Sequence, residues 1–436
     1  MQSKKVFILA LIGFLFLFSA PVQGRVYIDI DTPAFQRFPL AITDFKALRL
    51  DLQKGDWPQW FSDTLSRLLS ITGYFSLIDK RAFLEDPNAG ITAEGTRFSD
   101  WTMIGAEYLI KGGFLAEGQQ LTSEFRLFDV VRGELVVGKR YYGTIDDKSR
   151  MVTAFANEVL LALTGEMGLF DTQIAFAKKE GDTADLYLIN FDGTELTRIT
   201  QYQSLTLAPR WSPDGKRLAF TSYREGNPDL YIRDLATGKT ERVISYLGVN
   251  LPGSWSSDGK QLLVTLSRNG NQEIYDMNVE TRLLRRLTRD FSIDVSPSRS
   301  PDGQRIAFVS NRAGSPQIYI MDADGGNVRR LTMEGNYNTS PAWSPKGKKI
   351  AYEGSVNGRF QIFLIDEEGG TPQQLTYGGS DHESPSWSPD GRYLVYSVRG
   401  YGRSRIEIIN ANGQNPRLLH EGKEGCQSPA WSPRLP

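Results

Sequence analysis

The sequence predicts an α/β N-terminal domain followed by an all-β six-bladed β-propeller, and three observations carry that prediction. A motif of the form Trp-Ser-Pro-Asp-Gly-Lys returns every 44 residues through the second half of the chain. Between its copies lie short period-2 runs of β-branched and aromatic residues bounded by turn residues, which is how strands read. The stretch ahead of the repeats lacks them and instead mixes helical apolar spacing with strand-like runs.

The elements follow in chain order. Lys4 and Lys5 precede fifteen apolar residues, Val6 to Ala20, and then Pro21 and the small-residue step Val22-Gln23-Gly24. That layout predicts a signal peptide over residues 1–24, cleaved after Gly24. The run is short of the roughly 20 residues a membrane helix needs, so an exported, soluble chain without a direct membrane span is expected. Its loss would leave 48 basic against 51 acidic side chains.

Residues 25–165 are expected to form the α/β domain. Val26, Ile28 and Ile30 alternate with Tyr27 and Asp29 as an extended segment. Phe61, Leu65, Leu68 and Leu69 fall at i, i+4, i+7 and i+8 behind Asp56-Trp57-Pro58, a helix with its entry signal. Strand-like runs cover Tyr74 to Ile78, Tyr108 to Lys111, Gln120 to Asp129 and Leu135 to Tyr142. Val152, Phe155, Val159 and Leu163 mark a last helix running into Thr164-Gly165. Gly105 and Gly112-Gly113 lack the Lys-Ser/Thr or helix start of a phosphate loop.

Residues 166–436 carry the repeat. Trp211-Ser-Pro-Asp-Gly-Lys216 returns as Trp255 to Lys260, Arg299 to Gln304, Trp343 to Lys348 and Trp387 to Arg392, and a truncated copy stands at Trp431-Ser-Pro433. Apolar columns keep the register: Ile174, Leu218, Leu262, Ile306, Ile350 and Leu394 in one, Leu186, Leu230, Ile274, Ile318, Ile362 and Ile406 in another. Six such units of four short strands predict six radial blades. The first unit has Met167 where its Trp belongs, so the strand ending at Trp431 is expected to complete it and close the ring.

Composition narrows the chemistry. Lys plus Arg number 50 against 51 acids, which argues against nucleic acid as a partner. The single Cys426 and the two histidines, His382 and His420, leave little for a metal site or a catalyst. Asp214, Asp258, Asp302 and Asp390 read as turn residues, one per blade, and Ser380-Asp381-His382 is no triad because consecutive residues cannot bond as nucleophile, base and orienter. No metal, no cofactor and no enzymatic activity are expected.

With strands a to d in each blade, the b–c turns and d-to-a crossings share one face. The first three crossings carry Leu205, Leu207, Leu247, Val249, Leu251, Phe291, Ile293 and Val295, whereas the last three read Asn336, Asn338, Asp381, His382, Glu383, Glu424 and Gln427. An apolar sector beside a polar one implies a covering partner or loops tucked under their own blades. The candidate contact residues are Leu205, Leu247, Val249, Pro252, Phe291, Ile293 and Val295, with Asn338 and His382 from the polar sector. Arg224, Arg268, Arg312, Arg359 and Arg403 of the b–c turns would add a basic rim.

The exported N-terminus, the α/β domain, the six repeats and the ending Pro429-Ala-Trp-Ser-Pro433 resemble the TolB family of periplasmic propellers, departing from it at Arg299 and at Ser256-Ser257. The resemblance implies a non-enzymatic adaptor of the Tol-Pal cell-envelope complex, supporting outer-membrane integrity and constriction during cell division. It implies that the lipoprotein Pal binds the loop face and that TolA binds the mature N-terminus, here Arg25, Val26, Tyr27, Ile28, Asp29 and Ile30, with other outer-membrane or envelope proteins as further partners. Those six residues also read as an ordinary edge strand. Two other readings stay open: a peptidase-like propeller, and a glycan-binding one with Phe291 and Tyr337 at the channel mouth.

Overall fold

A computed structural model describes residues 37–49, 55–84, 86, 89–400, 402–423 and 425–435. The expected signal peptide and the segment Arg25 to Asp31 lie outside the described residues.

The N-terminal part is one sheet with helices. Strands β1 (Phe38–Ile42), β2 (Lys46–Ala47), β3 (Phe75–Leu77), β4 (Tyr108–Glu117), β5 (Gln120–Asp129) and β6 (Glu134–Thr144) assemble in the order β3-β1-β4-β5-β6, with β2 also paired to β4. The first three strands run parallel to their neighbours and the β4-β5-β6 meander is antiparallel. Helix α1 (Trp57–Ser70) begins on Pro58 at its first turn and buries Phe61, Leu65, Leu68 and Leu69, the stripe the spacing predicted. Helix α3 (Lys148–Thr164) buries Val152, Phe155, Val159 and Leu163 and stops at Gly165, whose φ of 77° suits the left-handed C-terminal position. The short helix α2 (Phe98–Met103) and β1 were not anticipated. α2 holds a single buried residue, Trp101, too little for a helical periodicity, and β1 is a parallel strand buried at four of its five positions, where alternation vanishes.

The rest is a ring of six four-stranded antiparallel sheets. The innermost strands a are Cys426–Trp431, Thr206–Trp211, Asn250–Trp255, Asp294–Arg299, Asn338–Trp343 and Asp381–Trp387, for blades 1 to 6 in that order. Blade 2 continues with Arg217–Ser222, Asp229–Asp234 and Thr240–Ile244 as strands b, c and d. The a–b turn is Pro-Asp-Gly: Asp214 accepts from Ser212 Oγ and Lys216 N–H, and Gly215 takes a φ of 69°. Strand a bulges in each blade, and in five of them the bulge residue before proline (Ala208, Ser296, Ser340, Ser384, Ser428) has positive φ.

Ring closure follows the prediction. Blade 1 is assembled from the chain's last strand and the strands after the linker: Cys426–Trp431, Gln173–Glu180, Thr183–Asn190 and Thr197–Arg198. Trp431 pairs with Ile174, and its indole donates to Thr172 Oγ1 at 3.0 Å.

The tryptophans wedge between blades. The Trp255 and Trp387 indoles donate to the carbonyls of Arg210 and Ala342 in the preceding blade, and Trp211 donates to Ala430 in the same way. Each packs on an aliphatic residue of the preceding strand c, as Trp255 does within the cluster holding Ile232 and Trp387 within that holding Leu364. Where Arg299 replaces Trp, position 276 is Asp rather than aliphatic, and the guanidinium meets the carboxylate at 3.0 Å with both side chains buried. An apolar wedge has been exchanged for an ion pair.

Candidate functional site: the loop face of the propeller

The two faces of the ring differ in what covers them. The face of the a–b and c–d turns carries the α/β domain: Tyr74 and Tyr393 share a hydroxyl–hydroxyl bond of 3.1 Å, Arg67 pairs with Asp192, and Glu166 of the linker meets Lys346 and Arg392, each at 3.3 Å. One apolar cluster runs through this junction, from Phe61 and Leu65 to Phe176, Tyr393 and Trp431. The opposite face, built from b–c turns and d-to-a crossings, is open among the described residues.

That open face divides the sequence candidates into three groups. Leu247, at 81% exposure, Phe291, fully exposed, and Ile293 stand out into solvent. Leu205, Val249 and Val295 are half-buried, and Val295 packs against the cluster between blades 4 and 5. Pro252, Asn338 and His382 are buried; they belong to strand a rather than to its preceding loop, which corrects their expected exposure. Asn338 Nδ2 donates to Gln317 Oε1 and to the Glu334 carbonyl, each at 2.8 Å, tying blade 5 to blade 4. The His382 imidazole packs beside Tyr396, and burial lowers its pKa, so it is neutral at physiological pH.

The polar sector is less polar than expected. Met333 and Tyr377 are each 70% exposed, and Tyr337 is exposed with its ring edge against Phe360. The crossings lie earlier in the chain than the sequence pattern placed them, so its candidates missed Met333 and Tyr377 and ran into strand a. The apolar columns give the signal that finds them: both residues stand two positions after the buried Leu331 and Leu375.

The basic rim is largely neutralised. Arg312 Nη2 donates to both carboxylate oxygens of the buried Asp294 at 3.0–3.1 Å, Arg359 meets Asp381 at 3.1 Å, and Arg403 meets Glu421 at 2.7 Å. Arg224 lies over the Tyr202 and Tyr231 rings and Arg268 over Tyr246. The face therefore offers apolar and aromatic contact area with balanced charge, rather than a positive field.

No group of three or more His, Cys, Asp or Glu side chains among the described residues is placed to hold a metal ion. No described helix is long and apolar enough to cross a membrane. The central channel is walled by the six strands a and presents serines, prolines and the tryptophan wedges, with no tyrosine or phenylalanine.

Fold and site together define a six-bladed propeller with one face sealed by its own α/β domain and the other exposing apolar loops. Residues 161–435 match the model of the TolB beta propeller domain, and residues 26–136 match that of the TolB amino-terminal domain. The chain belongs to the TolB family. The Tol-Pal system protein TolB of Syntrophus aciditrophicus is 52% identical over 209 residues, 47% of this chain and 46% of that one. That of Desulfosudis oleivorans is 43% identical over 200 residues, 46% of each. In these alignments the chain spans about half the length of the curated relatives it matches. The crystal structure of TolB from Acinetobacter baumannii superposes with a TM-score of 0.80 at 29% identity, covering 91% of this chain and 97% of that one.

Proposed function

We propose that this protein is a non-enzymatic periplasmic adaptor of the Tol-Pal envelope system, binding the lipoprotein Pal on the open loop face and TolA through Arg25 to Asp31. The observation that carries this reading is the exposure of Leu247, Phe291, Ile293, Met333 and Tyr377 around a face that the α/β domain leaves free. Isolated exposed apolar side chains are ordinary, but a ring of them on one face marks an interaction surface. Interface energy concentrates in a few buried anchors, and Phe291 and Leu247 are the side chains with most area to lose. Family membership and the relatives' Tol-Pal designation support the choice of partners.

The test uses Phe291→Asp and Leu247→Asp in the mature chain. Both side chains are already in water, so folding should persist, whereas a charge buried at an anchor costs several kcal/mol of binding. Calorimetric titration with Pal should show at least a tenfold loss, roughly 1.4 kcal/mol, for each variant. TolA binding should be unchanged in both and lost when Arg25 to Asp31 are removed. Full Pal affinity in both Asp variants rejects the loop-face reading.

A further inference from the structure

The propeller channel holds a charge that the adaptor reading does not use. Its volume is about 470 Å³, and its wall is formed by strand a of all six blades. At one level of that wall, a single 44-residue column contributes Arg210, Ser254, Ser298, Ala342, Ser386 and Ala430, and all six residues line the channel.

Arg210 Nη1 donates to the carbonyl of Pro209 at 3.0 Å, and Arg210 makes no ion pair among the described residues. Burial alone pulls its pKa below the usual guanidinium range, with no carboxylate to oppose the shift; arginine nevertheless stays charged. The Oγ atoms of Ser254, Ser298 and Ser386 each accept a backbone N–H from the next blade, at 2.7, 2.9 and 3.0 Å. A serine hydroxyl that accepts still has its own hydrogen to donate. No aspartate or glutamate is among the described residues lining the channel, and its other arginine, Arg299, is already held by Asp276. Glu353 sits behind the wall, where it accepts the N–H of Ser384, and burial pushes its carboxyl up to about 7.

A channel-lining cation without a counter-charge among the described residues, at one level with three serine hydroxyls, is complementary to an anion. We propose that the channel binds one small free oxyanion, of the size and charge of inorganic phosphate, on Arg210 with the hydroxyls of Ser254, Ser298 and Ser386. The anion supplies the part-buried guanidinium with the counter-charge that the described channel lining lacks.

The experiment titrates inorganic phosphate into the mature protein by calorimetry, beside Arg210→Gln, Arg210→Lys and a control, Arg282→Gln, whose guanidinium pairs with Glu241 on the outer surface. Expected is one saturable site in the parent, retained in the Arg282 variant, weakened in Arg210→Lys and reduced at least tenfold in Arg210→Gln. Absence of saturable binding in the parent overturns the proposal, as does an unchanged affinity in Arg210→Gln. Tighter binding of acetate than of phosphate overturns the phosphate assignment. Loss of partner binding in Arg210→Gln without phosphate binding by the parent would transfer the role to a carboxylate on the partner and also overturn it. Should the Arg210 variants fold poorly, a bromide soak of parent crystals decides: an anomalous peak within hydrogen-bond distance of Arg210 supports the site, and an empty channel rejects it.

Discussion

Arg299 and Asp276 show how a single departure from a repeat is absorbed. Five of the six units place tryptophan at this position, and a lone arginine in that buried slot would leave a charge without solvent. The compensating change lies 23 residues earlier, in another element, where Asp276 stands in the column that holds Ile232, Ile320 and Leu364 in neighbouring units. Arg285 reaches the same carboxylate at 3.3 Å. Breaking a buried pair on one side is expensive, whereas replacing both members by packed apolar groups is often neutral or stabilising. Asp276→Leu is therefore expected to cost about 3–5 kcal/mol, and the double variant Arg299→Trp with Asp276→Leu to recover all of it, with up to about 1–4 kcal/mol of added stability. Urea unfolding of the two single variants and the double closes the cycle; a double variant no more stable than Asp276→Leu alone would show that this wedge does not determine blade packing.

At the scale of the element, the strand ending at Trp431 matters most, because it joins the two ends of the propeller segment. It pairs with Gln173–Glu180 from Cys426↔Lys178 to Trp431↔Ile174, and Ser432 and Gln173 bond reciprocally at 2.8 and 2.9 Å. Trp431→Ala should cost about 3–5 kcal/mol, the usual figure for a buried large aromatic. Deleting Ser428 to Pro436 removes the whole ladder as well, against a total stability of about 5–15 kcal/mol for an ordinary domain. The truncated chain is expected to unfold or aggregate, and an unchanged melting temperature in scanning calorimetry would refute closure as the source of stability. The loop crossings show the reverse: Val295 is a candidate anchor by sequence, but it is half-buried against the cluster between blades 4 and 5, so Val295→Asp would perturb the blade as well as any contact made there. Phe291, four residues earlier, is the informative position.

The molecule as a whole is one body in its packing. The α/β domain and blades 1 and 6 share an apolar cluster in which Phe61, Leu65, Leu163 and Phe170 join Phe176, Tyr393, Ile406 and Trp431. Burial drops the Arg417 pKa to about 10 at this junction, where its guanidinium lies over the Phe191 ring and donates to the Phe191 carbonyl. Multi-domain chains commonly melt in separate steps, but parts that share a core cannot expose it independently. Calorimetry of the chain from Arg25 onward should show a single endotherm, and two resolved transitions would contradict the shared core.

What the sequence by itself determined was everything that repeats. Six units, four strands in each, the Pro-Asp-Gly turns and the closing strand were legible because the same physical demand recurs at fixed spacing, and six copies average away local ambiguity. Helices α1 and α3 were legible for a related reason, a long amphipathic stripe with a capped end. The tertiary structure decided everything that depends on which neighbour a side chain meets. It buried Asn338 and His382, turned Arg312, Arg359 and Arg403 toward carboxylates from other segments, exposed Met333 and Tyr377, and put Arg210 in a channel with no acid among the described lining residues. Local spacing records the periodicity of an element, but exposure and charge pairing are set between strands, by residues from different segments of the chain, and a single sequence carries no signal for the meeting of two such residues.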